Sequence, residues 1–210
     1  MKRNQSGFTL IEIAIVLVII GLLLGGVLKG QELINSARVK NLATDFKNVP
    51  VFIYGYQDKF KALPGDDLRA TDHVTATANG DGDGLIEGGW PAVAGESFNF
   101  WQHVRLAGLA PGPTDTGAAD YIPQNAVGGN IGVTSAADSP INNLRGSYIV
   151  CSGSIAGKFA KQLDTTLDDS NTETGSLQVA PVNTTTAAKA DAEATADVDD
   201  DTTYLVCMGF

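Results

Sequence analysis

The sequence is poor in the residues that most catalytic and metal sites use. Its 210 residues include only 2 cysteines and 2 histidines, His73 and His103. Neither a G-x-S-x-G nucleophile motif nor a pair of metal ligands at helical spacing accompanies these histidines. So few cysteines exclude a fold held together by many disulfides, and the chain is long enough to bury a core without them. The sequence therefore predicts a protein that is not an enzyme.

Basic residues are scarce beyond the first third of the chain. From Asp72 onward there are 5 basic and 18 acidic residues, a net charge of −13, whereas the first 71 residues carry +3. A surface this acidic repels phosphate backbones. We therefore expect no nucleic-acid partner.

The chain does have one long hydrophobic run near its start. From residue 8 to residue 28 the only charged side chain is Glu12. As a helix these residues extend about 31 Å, the thickness of the hydrocarbon core of a bilayer. Lys2 and Arg3 precede the run, which predicts a cytoplasmic N-terminus and a chain that crosses the membrane once. Only poor small-x-small cleavage sites follow the run, which argues against a soluble secreted product.

The start of this run carries a specific motif. A short basic leader precedes Gly7-Phe8-Thr9-Leu10-Ile11-Glu12. This arrangement resembles the class III signal of type IV prepilins and type II secretion pseudopilins, whose hallmark is G-F-T-L-[IL]-E. The resemblance implies that residues 1–7 are a leader peptide, which a prepilin peptidase removes by cutting between Gly7 and Phe8. The peptidase is then expected to methylate the new amine of Phe8.

The same resemblance implies a structural function. It implies a subunit of a type IV pilus or a type II secretion pseudopilus, held in the bacterial inner membrane before it joins the filament. Its partners would be the peptidase, an inner-membrane assembly platform and other pilin or pseudopilin subunits. Lys29 stands where many type IV major pilins carry proline, which favours a minor pilin or a pseudopilin. The alternative is a membrane-tethered calcium-binding or adhesive module that does not polymerise.

Glu12 places a carboxylate in an otherwise apolar helix. Left unpaired in hydrocarbon, such a group costs on the order of 3 kcal/mol. In a filament of packed N-terminal helices, Glu12 can pair with the Phe8 amine of a neighbouring subunit or of its own chain, which would set the axial register. The alternative is a carboxylate that reaches the membrane surface and has no partner.

Residues 29–63 predict an amphipathic continuation of the helix. Pro50 predicts a kink near residues 46–50, and Leu63-Pro64-Gly65 predicts the helix end. We expect the apolar stripe to pack on a sheet of the chain's own globular domain, residues 64–210. The stripe is formed by residues three and four apart, namely Val39, Leu42, Phe46, Val49, Ile53, Tyr56, Phe60 and Leu63.

The globular domain combines short helices with strands. Helices are predicted at residues 98–107, capped by Ser97, and at residues 158–167. Short β-prone runs at 146–151, 176–179 and 203–208 predict strands. The predicted fold class is α+β and pilin-like, with a long N-terminal helix packed on an antiparallel sheet.

The two cysteines predict a disulfide in an exported chain. Cys151 and Cys207 enclose 55 residues, and closing such a loop stabilises a fold by roughly 4 kcal/mol in the chain-entropy model. The bond would tie the final strand to an earlier one. Within this region, residues 184–201 are acidic and poor in bulky apolar side chains, which predicts a mobile surface loop.

Two acidic segments suggest cation sites. Asn79, Asp81 and Asp83 have the spacing of the first half of an EF-hand-type calcium loop, with Glu87 as a further ligand. The twelfth position of that loop is Trp90 instead of glutamate, which favours the alternative of a flexible turn whose Asn and Asp side chains bond the local backbone. No cofactor beyond calcium is suggested. A second group, Asp164, Asp168 and Asp169, ends the helix predicted at 158–167, and we expect an ordinary charged helix end there.

Overall fold

The computed structural model describes residues 9–91, 93–182 and 189–210. The chain divides into two compact units, Met1–Arg38 and Val39–Phe210. The first helix, α1 (Leu10–Phe60), contributes residues to both units. The predicted leader, residues 1–7, lies outside the described residues.

The second half of α1 buries the predicted stripe. The buried positions include Val39, Leu42, Phe46, Val49, Ile53 and Tyr56. Pro50 lies inside the continuous helix, and the kink there stays a prediction. The predicted end at residues 63–65 is wrong, because α1 ends at Phe60 and Lys61 adopts a left-handed backbone with φ of 58°.

Four antiparallel strands form one sheet. They are β1 (Ile131–Ser135), β2 (Tyr148–Ala156), β3 (Leu177–Pro181) and β4 (Thr203–Gly209), in the order β1-β2-β4-β3. The three predicted strands correspond to β2, β3 and β4. β1 was not predicted, since its sequence IGVTS is short and has a glycine at its second position.

The sheet separates two layers of apolar side chains. On one face, Val133, Val150 and Val206 pack in one cluster with Phe46 and Ile53 of α1. On the other face, Ile149 and Leu205 belong to a smaller cluster with Ile141 and Leu144. The predicted α+β, pilin-like arrangement of a long N-terminal helix on an antiparallel sheet is confirmed.

Three shorter helices complete the domain: α2 (Ala70–Val74), α3 (Glu96–Leu106) and α4 (Gly157–Leu167). α3 and α4 confirm the two predicted helices, and a 3₁₀ turn spans Ala136–Asp138. The predicted capping role of Ser97 is wrong, because Gly95 occupies the cap position. The Ser97 hydroxyl instead donates to the carbonyls of Glu87 and Gly88, both at 2.8 Å.

The C-terminal region is tied to the sheet in two ways. Cys151 of β2 and Cys207 of β4 lie opposite each other and form a disulfide. In the segment from residue 189 to residue 201, Ala190 and Val198 are buried, and the Ala190 N–H donates to the carbonyl of Pro140. These two apolar anchors hold a segment for which a mobile loop was predicted. Residues 184–188 of that loop lie outside the described residues.

Candidate functional site

The first turn of α1 is closed by hydrogen bonds between Thr9 and Glu12. The Thr9 N–H and hydroxyl donate to Glu12 Oε2 at 2.8 and 2.7 Å, and the Glu12 N–H donates to Thr9 Oγ1 at 3.3 Å. Because Thr9 directly precedes the helix, this is a capping box with Glu12 at the third helical position. The sequence analysis missed this role, although the Thr-x-x-Glu spacing is the usual signal for it.

The two residues of the predicted processing site, Gly7 and Phe8, lie outside the described residues. Cleavage between them, methylation of Phe8 and pairing of its amine with Glu12 therefore stay predictions. Of the residues assigned to processing and assembly, only Glu12 is described. Its carboxylate lies in the first turn of α1, where it accepts hydrogen bonds from Thr9 at the N-terminal end of the helix.

The first unit presents an apolar helix. Leu10, Leu17 and Leu22 are 92%, 63% and 74% exposed, and other large apolar side chains up to Leu28 are also exposed. This part of α1 is long and apolar enough to cross a membrane. A Cβ built at Gly21, Gly25 or Gly26 would meet no atom within 4 Å. The described chain thus has no contact of its own that requires glycine at these positions.

The glycine-rich loop is organised around a buried carboxylate that the spacing argument did not include. Asp66 is 4% exposed, and its carboxylate accepts the N–H groups of Gly82, Asp83 and Gly84 at 2.6, 3.1 and 2.9 Å. Burial raises the pKa of Asp66, the Gly84 and Gly82 N–H groups lower it, and the charges of Glu96 and Asp83 raise it further. The net direction is upward, so these hydrogen bonds only partly offset the burial.

Three of the four predicted calcium ligands accept hydrogen bonds from backbone N–H groups. The Asn79 side-chain oxygen accepts the Thr71 N–H at 2.8 Å. Asp81 and Asp83 each accept an N–H two residues further along the chain, as in Asx turns. Among the described carboxylates of this loop, those close enough to share an ion are Asp81, Asp66 and Glu96, a group that does not include Asp83 or Glu87.

Glu96 is the second carboxylate that holds this loop, beside Asp66. Its carboxylate accepts the N–H groups of Asp81 at 3.0 Å and of Glu87 at 3.1 Å. Asp66 and Glu96 together accept five backbone N–H groups from the loop. Backbone N–H groups therefore supply the positive charge that these carboxylates would otherwise take from a bound cation. This favours the Gly-Asp turn over an EF-hand-type site.

Both histidines serve the packing of the domain. The buried His103 accepts the Gly65 N–H at Nδ1 (2.9 Å), and its Nε2 lies 3.1 Å from the carbonyl of Ala78. Burial lowers the pKa of His103, so the ring is neutral with its proton on Nε2. His73 Nδ1 lies 2.7 Å from Asp67 Oδ2, which also accepts the Tyr56 hydroxyl at 2.7 Å. These contacts occupy both rings in structural hydrogen bonds.

The second acidic group lies at the end of α4. One carboxylate oxygen from each of Asp164, Asp168 and Asp169 lies within 4.8 Å of the other two. Asp164 is fully buried, whereas Asp169 is exposed. Burial, followed by the charges of Asp169 and Asp168, raises the pKa of Asp164 to about 6. The predicted charged helix end therefore includes a carboxylate that water does not reach.

Comparison with known proteins identifies the N-terminal segment. A family model described as the prokaryotic N-terminal methylation motif matches residues 2–28. Searches of curated proteins and of solved structures give no significant match. The matched residues hold the predicted cleavage site, Glu12 and the apolar half of α1. The N-terminal segment therefore carries the signal of type IV prepilins and pseudopilins.

Proposed function

We propose that this protein is a non-enzymatic structural subunit that polymerises through the apolar half of α1, in a type IV pilus or a type II secretion pseudopilus. Prepilin peptidase cuts the precursor between Gly7 and Phe8 and methylates the amine of Phe8. The observation that carries the proposal is the methylation motif, which matches residues 2–28. It is joined to an apolar helix that is exposed along residues 10–28.

An exposed apolar helix of this length needs a cover, and two covers are available in turn. Before assembly, the bilayer surrounds the segment, with the N-terminus in the cytoplasm and residues 39–210 on the far side of the bacterial inner membrane. After assembly, the same surface packs on neighbouring subunits. Gly21, Gly25 and Gly26 support this second state, because small residues let helices approach closely and the described chain makes no such contact there itself.

Glu12 is the residue that would set the register of the filament. Cleavage would leave the Phe8 amine directly before the Thr9–Glu12 capping box. In the described structure, the capping contacts use Glu12 Oε2, so Oε1 can accept a hydrogen bond from the Phe8 amine of a neighbouring subunit. A buried pair of opposite charges tolerates little displacement, since losing one partner strands the other in an apolar environment.

The N-terminus of the mature protein tests the proposal directly. The full-length precursor is expressed in cells with prepilin peptidase, and a strain without the peptidase serves as the control. Mass spectrometry is expected to find chains that begin at N-methyl-Phe8 only where the peptidase is present. A chain that still begins at Met1 would favour the membrane-tethered module that does not polymerise. A chain that has lost all residues through Leu28 would contradict both proposals.

A second experiment separates the two machines. Deletion of the gene should remove or shorten surface filaments if the protein is a pilus subunit. The lysine at position 29, where many major pilins carry proline, favours a minor pilus subunit. If it is a pseudopilin, deletion should instead trap secreted enzymes in the periplasm. Other pilin or pseudopilin subunits and the inner-membrane assembly platform are the proposed partners in either case.

A further inference from the structure

We infer that Asp164, Asp168 and Asp169 form a calcium site at the C-terminal end of α4. The three carboxylates are brought together by the last turn of the helix and by the loop that leads to β3. The site is separate from the glycine-rich loop around Asp66. It depends on the domain alone and not on the polymerising function proposed above.

The carboxylate of Asp164 is the observation that points to a ligand. The residue is 0% exposed, and within the described residues neither of its carboxylate oxygens has a hydrogen-bond partner. Buried carboxylates are normally paired with a cation or with several donors, because transfer from water without a partner costs several kcal/mol. One of these oxygens lies within 4.8 Å of an oxygen of Asp168 and of Asp169. Asp164 therefore faces the acidic cluster without a compensating group.

Among the described residues, no basic side chain forms an ion pair with this cluster. The nearest basic residue on α4, Lys161, pairs with Asp200 and donates to the Val198 carbonyl at 3.1 Å. Across the described ranges, none of the three aspartates forms a salt bridge. The carbonyl end of α4 adds partial negative charge at the same place. Three carboxylates and a helix C-terminus thus attract a cation and repel an anion.

The loop after α4 holds the other two carboxylates in position. Asp168 Oδ2 accepts the Leu177 N–H at 2.8 Å, which joins the helix end to the start of β3. Asp169 accepts the Thr174 hydroxyl at 3.0 Å. Gly175 has a φ of 79°, and a Cβ there would lie 2.0 Å from Asp168 Oδ2, so only glycine lets the loop pass this carboxylate. The carboxylates are therefore placed before any ion arrives.

The geometry favours calcium over magnesium. Calcium binds oxygen at about 2.3–2.6 Å, so two oxygens on the same ion lie within about 5 Å of each other. One oxygen of each aspartate lies within 4.8 Å of the other two, which satisfies that condition. Calcium accepts irregular sets of oxygen ligands, whereas magnesium demands a near-octahedral set and retains several waters. The mixture of buried, half-buried and exposed carboxylates here suits the larger ion.

Calcium titration of the purified full-length protein in detergent tests the inference. After treatment with EGTA, the wild type is expected to bind one Ca²⁺ per chain, with a Kd between about 10 µM and 1 mM, and its Tm should rise with added calcium. Asp169→Asn alters an exposed side chain, should leave the fold intact and should weaken binding at least tenfold. Asp164→Asn should abolish the site. Magnesium at the same concentration should leave the Tm unchanged.

Asp81→Asn is the matched control, because it removes the exposed carboxylate of the Asp66, Asp81 and Glu96 group in the glycine-rich loop and should bind calcium like the wild type. Loss of calcium binding in Asp81→Asn with retention in Asp169→Asn would overturn the inference and move the site to that loop. Absence of binding by the wild type up to about 10 mM calcium would also overturn it. An equal rise in Tm with magnesium would overturn the assignment to calcium. These binding results do not depend on whether the protein forms filaments.

Discussion

The two roles of Glu12, helix capping and charge pairing, can be separated by two substitutions. Glu12→Gln keeps the capping box but removes the charge, since the side-chain oxygen of glutamine can still accept the Thr9 N–H and the backbone N–H of residue 12 still donates to Thr9 Oγ1. Thr9→Ala removes the cap and keeps the charge. If Glu12 sets the filament register by pairing with the Phe8 amine, Glu12→Gln should assemble poorly and Thr9→Ala should assemble well. Glu12→Val loses both roles and should still be processed.

The expected magnitudes differ enough to decide between the roles. Loss of an N-cap costs about 0.5–2 kcal/mol, which corresponds to a factor of about 2–30 in an equilibrium constant. Removal of one partner from a buried ion pair costs about 3–5 kcal/mol, a factor of about 10² to 5 × 10³ in the constant for subunit addition. The cap also affects only the first turn of a helix that is 51 residues long. Charge pairing should therefore dominate the assembly defect.

The assay compares the sheared filament fraction with the membrane fraction by immunoblot for each variant. Mass spectrometry of the N-terminus checks that cleavage and methylation of Phe8 are equal in all variants, so that a processing defect is not mistaken for an assembly defect. Normal incorporation of Glu12→Gln together with failure of Thr9→Ala would refute the register role. Capping would then be the function of this carboxylate.

Three further predictions concern unfolding of the full-length protein by denaturant in detergent. First, burial and the Gly65 N–H keep His103 neutral, so the unfolded chain gains its proton first as the pH falls. The contribution of His103 to the free energy of unfolding should be constant above the ordinary histidine pKa of about 6.5 and should decrease below it, so the pH slope should change in His103→Gln. Second, the double variant Cys151→Ala/Cys207→Ala should lose roughly 4 kcal/mol, because the disulfide closes a loop with a sequence separation of 56 residues. Third, Asp66→Ala should lose about 2–3 kcal/mol, because three backbone N–H groups lose a charged acceptor in a loop that water can partly enter.

Each of these three predictions has a result that would contradict it. An unchanged pH slope in His103→Gln would mean that other groups cause the acid sensitivity. Wild-type stability of the double cysteine variant would mean that the paired strands β2 and β4 already restrict the chain without the disulfide. Asp83→Ala is the control for Asp66→Ala, since Asp83 is exposed and its side chain accepts only the Leu85 N–H among the described donors. Equal losses in the two variants would contradict the organising role of Asp66.

Periodicity predicted much of the fold, because helix faces are set by local spacing. The apolar positions three and four apart between Val39 and Tyr56 are buried in α1, and α3 and α4 occur where short helices were expected. The end of α1 was misplaced because a left-handed residue, Lys61, stops the helix before Pro64 can. β1 was missed because its five residues, IGVTS, are few and include only two bulky β-branched apolar side chains, Ile131 and Val133.

The glycine-rich loop shows what spacing alone misses. The pattern from Asn79 to Glu87 counts side-chain oxygens along one segment, and it assumes that they converge. In the structure, the convergent carboxylates are Asp66 and Glu96, which flank the segment from both sides in sequence and accept its N–H groups. A local motif cannot contain these two residues. Their position depends on the packing of α3 and of the turn before α2.

Asp164 shows the same limit at the edge of a helix face. Phe159, Leu163 and Leu167 define the apolar stripe of α4, and Asp164 directly follows one member of it. An edge position is exposed or buried according to what covers the helix beyond the stripe, and periodicity does not contain that information. Here the cover includes the loop to β3, which the contact between Asp168 and Leu177 fixes. The sequence beside an apolar stripe therefore does not decide the state of an ionisable side chain. If the edge of the helix faces water, the group is a solvated charge. If a later segment covers that edge, the group is buried and requires a cation or a proton.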